Sequence, residues 1–232
     1  GEENQVFEFR KQGTFFKGHA REAAAKLREH LGVGPEKVSE DIFRDFRKIG
    51  IHIFRRELSN PEISGLYIRH PTAGPCVLVN FEEDLFRQRF TVAHEAAHAI
   101  LDAEAEMIVS ASWERGELVE IRANTFAAEY LLPESVLEPV RRSRWTGDSA
   151  VQLATRLRVN MDTLAFRLRG LGYITDQDAR VLRTLRVPPE AKVDPEFTTD
   201  LEKGSVIRKR KLLERGLSNY YVRLALRAYD EG

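Results

Sequence analysis

The chain has 232 residues, of which 42% are hydrophobic and 31% charged, with a formal net charge of zero. These values describe an ordinary globular protein, either one domain or one domain with an appendage, and leave ample chain for a buried core. No run of about 18 apolar residues occurs, so the sequence predicts no transmembrane helix and no membrane partner. The single cysteine, Cys76, excludes an intramolecular disulfide and favours a reducing, cytoplasmic setting.

The first half of the sequence predicts helices followed by a small sheet. Short strands are expected at 6–9 and 14–16, a helix at 20–31, and a second helix that Pro35 opens and Gly50 ends. Three further strands, separated by turn-forming residues, are expected at 51–54, 65–68 and 76–81. The predicted fold class is therefore α+β, with a small antiparallel sheet.

The second half is predicted to be almost wholly helical. Helices are expected at 86–102, 118–132, 133–141, 149–157, 161–171 and 176–185. Pro188, Pro189 and Pro195 indicate a linker, and a basic tail with helices at 206–214 and 219–229 follows. Between residues 141 and 186 there are ten arginines and no lysine, against four aspartates. The C-terminal half therefore carries a local positive field.

Two histidines and a glutamate stand out in the predicted helix at 86–102. His94 and His98 are four residues apart, so both rings lie on one side of the helix and can reach one metal ion. Glu95 projects about 100° away, where its carboxylate can meet a metal-bound water without binding the metal. A chance match is expected in roughly one chain in a hundred. However, the helix is apolar almost all round, and buried polar groups there need a partner such as zinc.

A catalytic zinc ion usually has three protein ligands and one water. No histidine follows His98, so the third ligand is expected among the downstream carboxylates of Glu104, Glu106, Glu114, Glu117, Glu120 and Glu129. Glu120 is preferred because it begins an amphipathic helix and leads a small, apolar stripe with Asn124, Ala127 and Leu131. The alternative for Glu120 is a solvated first-turn glutamate that the helix dipole favours.

Three blocks in this order resemble the ImmA/IrrE family of metallopeptidases. They are Val77–Asn80 followed by Arg87–Glu95, then His98 with Ile100-Leu101, and finally Glu120 with Ala123-Asn124, Phe126–Ala128 and Leu131–Pro133. The resemblance implies a gluzincin-like fold, Zn²⁺ held by His94, His98 and Glu120, and Glu95 as the catalytic glutamate. It also implies cleavage of a helix-turn-helix repressor that guards a mobile element, a DNA-damage regulon or a phage-defence operon. Ala96-Ala97 departs from the bulky residue and glycine frequent in the family, but alanine is small enough for close packing.

In the implied mechanism, zinc lowers the pKa of its water to about 7, and Glu95 accepts the water proton and passes it to the leaving amine. A second donor to the oxyanion is expected, for which Tyr130 and His70 are candidates. Cys76 could occupy the fourth zinc position and keep the enzyme latent, since a thiolate is a good zinc ligand. The alternative for Cys76 is a small strand residue with a packing role.

Residues 149–173 resemble a helix-turn-helix, in which Arg156, Arg158, Arg167 and Arg169 would suit phosphate contacts. The turn position often held by glycine is Arg158 here, and the alternative is a helical pair packed on the peptidase. The tail carries Arg208–Lys211 and Tyr220-Tyr221, which could bind single-stranded nucleic acid or simply form charged helix faces.

We therefore expect three parts: a metallopeptidase domain at 1–145, a helix-turn-helix-like segment at 146–186, and a linker with a basic tail at 187–232. Three functions remain open. The favoured one is a zinc endopeptidase that cleaves a protein partner. The second is a DNA-binding regulator or nucleic-acid sensor with secondary or gated proteolysis, and the third is a zinc hydrolase of small substrates.

Overall fold

A small sheet and a stack of helices form the fold in the computed structural model, which describes residues 7–10, 16–102, 107–111, 118–197 and 203–231. Four strands make the sheet: β1 (His52–Arg56), β2 (Ile63–His70), β3 (Gly74–Asn80) and β4 (Met107–Ala111). The described helices are α1 (Phe16–His30), α2 (Ile42–Lys48), α3 (Leu85–Leu101), α4 (Leu118–Leu131), α5 (Glu134–Leu137), α6 (Gly147–Leu157), α7 (Met161–Gly170), α8 (Asp176–Leu182), α9 (Lys203–Leu213) and α10 (Asn219–Glu231). Single 3₁₀ turns lie at Glu138–Val140 and Pro189–Ala191. The predicted α+β character is confirmed.

The sheet is mixed, so the prediction of an antiparallel sheet is wrong. Its strand order is β1-β3-β2-β4; β2 is antiparallel to both β3 and β4, whereas β1 is parallel to β3. Strand β3 lies between β1 and β2, and β2 is its partner in a hairpin.

Helices α1, α3 and α4 stack against one face of this sheet. Helix α3 covers β2 and β3, α4 packs on α3, and α1 packs on α4. Strand residues that alternate with exposed or half-exposed neighbours, such as Ile53, Tyr67, Val77 and Val79, point into this core and are buried. The buried apolar side chains between α1 and Val187 form one cluster, and this cluster includes side chains of α6, α7 and α8.

Several predicted elements differ from the structure. Residues 34–37 form a turn rather than the start of a helix; α2 begins at Ile42 because the Asp41 side chain accepts a hydrogen bond from the Arg44 backbone N–H. Strand β4 was not predicted, since the short apolar run at 107–109 has no strand-like alternation. Of the strands expected at 6–9 and 14–16, residues 6 and 14–15 lie outside the described residues; 7–9 have no regular structure, and Phe16 begins α1.

The C-terminal part of the chain packs against the sheet. The Tyr221 ring of α10 stacks on Phe54 of β1 at 4.7 Å between centroids, and Arg56 forms a β-bridge with Arg215. Near the predicted linker, Asp194 and Glu196 form ion pairs with Arg55, which is 2% exposed. These contacts tie Asp194, Glu196, Arg215 and Tyr221 to the sheet, and the boundaries of the three predicted parts stay predictions.

Within the ranges that the structure describes, no helix has both the length and the apolar character needed to cross a lipid bilayer.

Candidate metal centre

The centre is built from two adjoining helices, α3 and α4. The side chain of Asp84 begins α3 by accepting hydrogen bonds from the backbone N–H groups of Phe86 and Arg87. The middle of α3 is buried on nearly all sides, as its apolar sequence predicts, and it carries His94, Glu95 and His98. Helix α4 packs alongside and brings in Glu120 from its first turn.

His94, His98 and Glu120 place four ligand atoms close together. The Nε2 atoms of the two histidines are 3.2 Å apart. One carboxylate oxygen of Glu120 lies 3.1 Å from His94 Nε2, and the other lies 3.2 Å from His98 Nε2. Among the described residues these three form the group with metal-binding geometry, and all three are buried.

The opposite ring nitrogens fix the orientation of both imidazoles. His94 Nδ1 lies 3.1 Å from the side-chain oxygen of Asn124, and His98 Nδ1 lies 3.3 Å from a carboxylate oxygen of Asp102. Because both partners are acceptors, each Nδ1 must carry the hydrogen and donate it. Each Nε2 of a neutral ring then presents its lone pair to the centre, which is the arrangement that metal-binding histidines use.

The donor set fits a small divalent cation. With zinc–nitrogen and zinc–oxygen bonds of about 2.0–2.2 Å, neighbouring ligand atoms of a tetrahedral site lie roughly 3.3–3.5 Å apart. The distances of 3.1–3.2 Å between the ligand atoms are close to this spacing. Two lone pairs and a carboxylate facing one another in a buried position need a positive charge between them, and two nitrogens, one carboxylate and room for water are typical catalytic zinc ligands.

The electrostatics of the metal-free protein agree with this requirement. Burial lowers the pKa of His98, but hydrogen bonds to Asp102 and Glu120 outweigh it and raise the pKa to about 9. Burial raises the pKa of Glu120, but hydrogen bonds from His94 and His98 lower it to about 2. Without a metal, the centre therefore holds a proton on His98 as its cation, opposite the charged carboxylate of Glu120.

Glu95 lies beside the ligand set and against the sheet. Its side chain is fully buried, and its Cγ lies over Gly65 of β2. A Cβ at position 65 would come within 3.1 Å of Glu95 Cγ, 3.0 Å of the Leu78 carbonyl oxygen and 2.6 Å of Thr91 Cγ2. The absence of a side chain on Gly65 therefore gives Glu95 its place between helix and sheet.

Cys76 does not reach the centre. Gly65 pairs with Val79 of β3 on the sheet face that α3 covers, so Cys76, three residues earlier on β3, points to the opposite face. Its thiol lies 3.6 Å from the Gly74 carbonyl oxygen, and burial raises its pKa. The structure thus contradicts the prediction of a latency thiol that occupies the fourth metal position.

The two predicted oxyanion donors have other partners. The Tyr130 hydroxyl is buried and donates a hydrogen bond to Asp45 on α2 at 2.9 Å. His70 is exposed in the β2–β3 turn, where its Nδ1 accepts hydrogen bonds from the backbone N–H groups of Thr72 and Ala73. Neither side chain is placed to serve the centre, so these two predictions are wrong.

Four residues around the centre were missed as functional candidates: Gly65, Asp102, Arg122 and Asn124. Helical spacing carries a signal for two of them, because Asp102 is four residues after His98 and Asn124 is four after Glu120. Arg122 is buried and forms an ion pair with Asp102, so α4 fixes the end of α3 as well as its ligands. Gly65 carries no signal in one sequence. Of the other glutamates considered as ligands, Glu129 pairs with Arg167, and Glu104, Glu106, Glu114 and Glu117 lie outside the described residues.

The four arginines predicted to contact phosphates have different surroundings. Arg167 is buried, donates to the Leu132 carbonyl oxygen and pairs with Glu129 at 2.6 Å, so it is not available to nucleic acid and its prediction is wrong. Arg158 takes the left-handed turn between α6 and α7, with φ of 55°, and bonds the Glu40 carbonyl oxygen. Arg169 pairs with Asp176, and Arg156 is exposed. The helical pair packed on the rest of the chain, the predicted alternative, describes these contacts better.

The tyrosine pair of the tail is also engaged. The guanidinium of Arg47 lies over the rings of Tyr220 and Tyr221 at 5.2 and 5.6 Å from their centroids, and the Tyr221 ring also contacts Phe54 and His52. Base stacking on Tyr221 would have to displace these contacts. The structure therefore does not favour the single-stranded nucleic-acid interpretation of this pair.

Comparison with known proteins places the centre inside a recognised sequence region. A family model of M78 peptidases, described as an IrrE N-terminal-like domain, matches residues 46–169, more than half of the chain. The chain is also 34% identical, over 98 residues, to the radiation response metalloprotease IrrE of Deinococcus radiodurans. That alignment covers 40% of this chain and 30% of the relative, so the two share less than a third of the relative's length.

Proposed function

The chain belongs to the M78 family of peptidases with an IrrE N-terminal-like domain, and we propose that it is a zinc-dependent endopeptidase that cleaves a protein partner. Family membership confirms the resemblance predicted from the sequence. Together with the metalloprotease relative and the buried group of His94, His98 and Glu120, it supports a metallopeptidase. Zinc as the metal, a gluzincin-like arrangement and the nature of the substrate belong to the proposal.

The observation that carries the proposal is the orientation of the ligand set. Asn124 and Asp102 hold both Nδ1 atoms, so both Nε2 lone pairs converge with the Glu120 carboxylate on one point. When bound there, zinc supplies a Lewis acid that lowers the pKa of water to about 7 and polarises a peptide carbonyl. Nitrogen and carboxylate ligands in a tetrahedral spacing favour zinc over magnesium or calcium, which prefer oxygen ligands.

Glu95 is proposed as the general base and acid. Its carboxylate would accept a proton from the attacking water while the water oxygen bonds to the peptide carbonyl carbon, and would then deliver that proton to the amide nitrogen as the C–N bond breaks. Its position one residue after His94 places it beside the ligand group and not within it. Burial of the whole centre limits competition from bulk water and strengthens the interactions within it.

For the substrate, we propose a helix-turn-helix repressor, whose cleavage would switch on a stress, mobile-element or phage-defence operon. Support comes from the family resemblance and from the relative, whose name connects a metalloprotease with the response to radiation. The cytoplasmic setting predicted from the single cysteine is compatible with such a partner. The alternative of a DNA-binding regulator loses Arg167 as a contact, because Glu129 and the Leu132 carbonyl oxygen bind its guanidinium.

The test compares the wild type with Glu95→Gln, each loaded with zinc, on a helix-turn-helix repressor encoded beside the gene. Gln keeps the size of the side chain but cannot accept the proton, so cleavage is expected to fall about 10²- to 10⁴-fold while the metal content stays at one per chain. Glu22→Gln, an exposed carboxylate on α1, is the matched control and should cleave normally. Cleavage by Glu95→Gln at the wild-type rate would refute the mechanism. Cleavage of short generic peptides but not of the repressor would favour the small-substrate hydrolase.

A further inference from the structure

A cavity lined by several charged side chains lies away from the metal centre, between α2 and the C-terminal helices α9 and α10. Its volume is about 420 Å³. Five basic side chains line it: Arg44, Arg47 and Lys48 from α2, Lys209 from α9 and Arg223 from α10. Two carboxylates, Asp41 and Glu196, also line it, so the basic groups outnumber the acidic ones by three.

Both acidic groups are already engaged. Glu196 accepts hydrogen bonds from Arg47 at 2.6 Å and from Arg55 at 3.0 Å, and its side chain is 8% exposed. Asp41 caps α2 by accepting a hydrogen bond from the Arg44 backbone N–H at 3.0 Å. In contrast, Lys48, Lys209 and Arg223 form no ion pair with any carboxylate among the described residues.

Two further features of the cavity favour an anion. Arg47 is 6% exposed, and hydrogen bonds to Glu196 and to the Ile53 carbonyl oxygen hold its charged guanidinium in place at the cavity wall. The first turn of α10, from Asn219 to Val222, also borders the cavity. The amino-terminal turn of a helix carries a partial positive charge that stabilises a nearby anion.

The volume of the cavity indicates a ligand larger than a free phosphate ion. Small-molecule sites in proteins typically have volumes of about 300–1,000 Å³, so this cavity falls in that range and is larger than one phosphate ion requires. Cations from three separate helices around one space suit a phosphate group, which accepts several charge-assisted hydrogen bonds at once. The remaining space is bordered by the Tyr220 ring and Pro195, which can contact an uncharged part of the ligand.

We propose that this cavity is a binding site for a small phosphorylated metabolite, a phosphomonoester whose phosphate lies between Lys48, Lys209 and Arg223. Such a ligand would link α2 to α9 and α10, because its phosphate would contact Lys48 of α2, Lys209 of α9 and Arg223 of α10. Helix α2 packs on α3, the helix of the metal centre, so the site lies one helix away from the proposed peptidase chemistry. The inference does not depend on that chemistry and can be tested without any substrate.

The experiment measures binding of adenosine 5′-monophosphate to the zinc-loaded full chain by calorimetry at low salt, with inorganic phosphate and adenosine as comparisons. One molecule of the monophosphate is expected per chain, with tighter binding than phosphate and no detectable binding of adenosine. Lys209→Gln and Arg223→Gln should each weaken binding about tenfold, because each removes one charge-assisted hydrogen bond. Lys211→Gln on α9 and Arg227→Gln on α10 are matched controls, exposed on the same helices but outside the cavity, and should change the affinity less than twofold.

Three of the four substituted side chains are exposed, and the fourth, Lys209, is partly exposed and lies over the Phe197 ring. A circular-dichroism melt of each variant checks folding. Absence of binding at millimolar concentration to folded wild type would overturn the proposal. Equal losses in the cavity and control variants would also overturn it, because they would show a general charge effect. Tight binding of a single-stranded oligonucleotide, reduced by Lys209→Gln, without binding of the monophosphate would replace it with a nucleic-acid site.

Discussion

Gly65 of β2 lies directly beneath Glu95 of α3, so closely that a methyl group at position 65 would approach Glu95 Cγ to 3.1 Å. The helix that carries the proposed general base therefore rests on a strand that has no side chain at the point of contact. Thr91 and the Leu78 carbonyl oxygen close the same space from two other sides. This contact joins the sheet to the position of the catalytic carboxylate.

The first prediction concerns Gly65→Ala. The new methyl group would overlap Thr91 Cγ2, at 2.6 Å, and press on Glu95. We expect unfolding to become easier by about 1–3 kcal/mol, as for other overpacked sites, and peptidase activity to fall more than stability explains. Activity at a temperature well below the melting point, together with a denaturant melt, measures both effects.

Two variants serve as controls for that prediction. Gly170→Ala, where an added Cβ meets nothing within 4 Å, should leave both activity and stability nearly unchanged. Adding Thr91→Ser to Gly65→Ala removes Cγ2 and should recover part of the lost activity. Wild-type activity in Gly65→Ala alone would show that the close contact does not position Glu95.

The second prediction concerns Asn124, which holds His94 by its Nδ1. In Asn124→Ala the ring loses the acceptor that fixes its orientation, so zinc affinity should fall about 10- to 100-fold. Competition with a chelator of known affinity measures the change. Thr125→Ala on the same helix, whose hydroxyl bonds the Ile121 carbonyl oxygen, is the control and should bind zinc normally. Equal zinc affinity in Asn124→Ala and the wild type would remove Asn124 from the account.

The third prediction concerns pH. In the metal-free protein the pKa of His98 is raised to about 9, above its ordinary value near 6.5, so His98 is protonated at pH 7.5. Zinc needs the neutral ring and must displace that proton. Zinc binding at pH 7.5 is therefore expected to release about one proton from His98, and its apparent affinity should rise with pH until about pH 9. Calorimetry in buffers of different ionisation enthalpy counts the protons; no release at pH 7.5 would contradict the prediction.

The stability of the metal-free protein depends on pH in the opposite direction to its zinc affinity. Because the folded-state pKa of His98 is the higher one, the proton stabilises the metal-free protein fully below about pH 6.5, and this contribution is lost as pH rises through 9. Zinc should therefore stabilise the protein against heat more at pH 8.5 than at pH 6.5. Melting curves with and without zinc at the two pH values provide the comparison.

The fourth prediction concerns the attachment of the C-terminal part to the sheet. Arg55 is buried and donates hydrogen bonds to Asp194, Glu196 and Gln88. Burial lowers the pKa of Arg55, but the carboxylates of Asp194 and Glu196 raise it by more than burial lowers it, so the guanidinium stays charged. Arg55→Met would leave carboxylates without this partner and should destabilise the fold by about 3–5 kcal/mol. Arg56→Met, at an exposed neighbouring position, should change stability by less than about 0.5 kcal/mol. Equal denaturation midpoints for the two variants would contradict the role of Arg55.

Features that arise within one helix could be predicted from the sequence. The bounds of α3 and α4, the pairing of His94 with His98 and the choice of Glu120 all follow from residues three or four apart and from apolar periodicity. The ligand group of the structure contains the same three residues. Their role in binding zinc stays part of the proposal, because the arrangement of the three side chains does not identify the ion that they bind.

Features that depend on contacts between distant segments could not be predicted. The parallel pairing of β1 with β3 and the strand β4 depend on which strands meet, which local patterns do not specify. Gly65 is ordinary in sequence and becomes important only when α3 lies on it. Arg167 has the charge of a phosphate contact, but Glu129 and the Leu132 carbonyl oxygen, 38 and 35 residues away along the chain, bury it.

The most direct test of the central claim is a crystal structure of the zinc-loaded protein with anomalous diffraction data on both sides of the zinc absorption edge. The account predicts one anomalous peak per chain, at about 2.0–2.2 Å from His94 Nε2, His98 Nε2 and a carboxylate oxygen of Glu120, with Glu95 outside the ligand shell. A peak bound by other residues, or Glu95 as a direct ligand in place of Glu120, would contradict it.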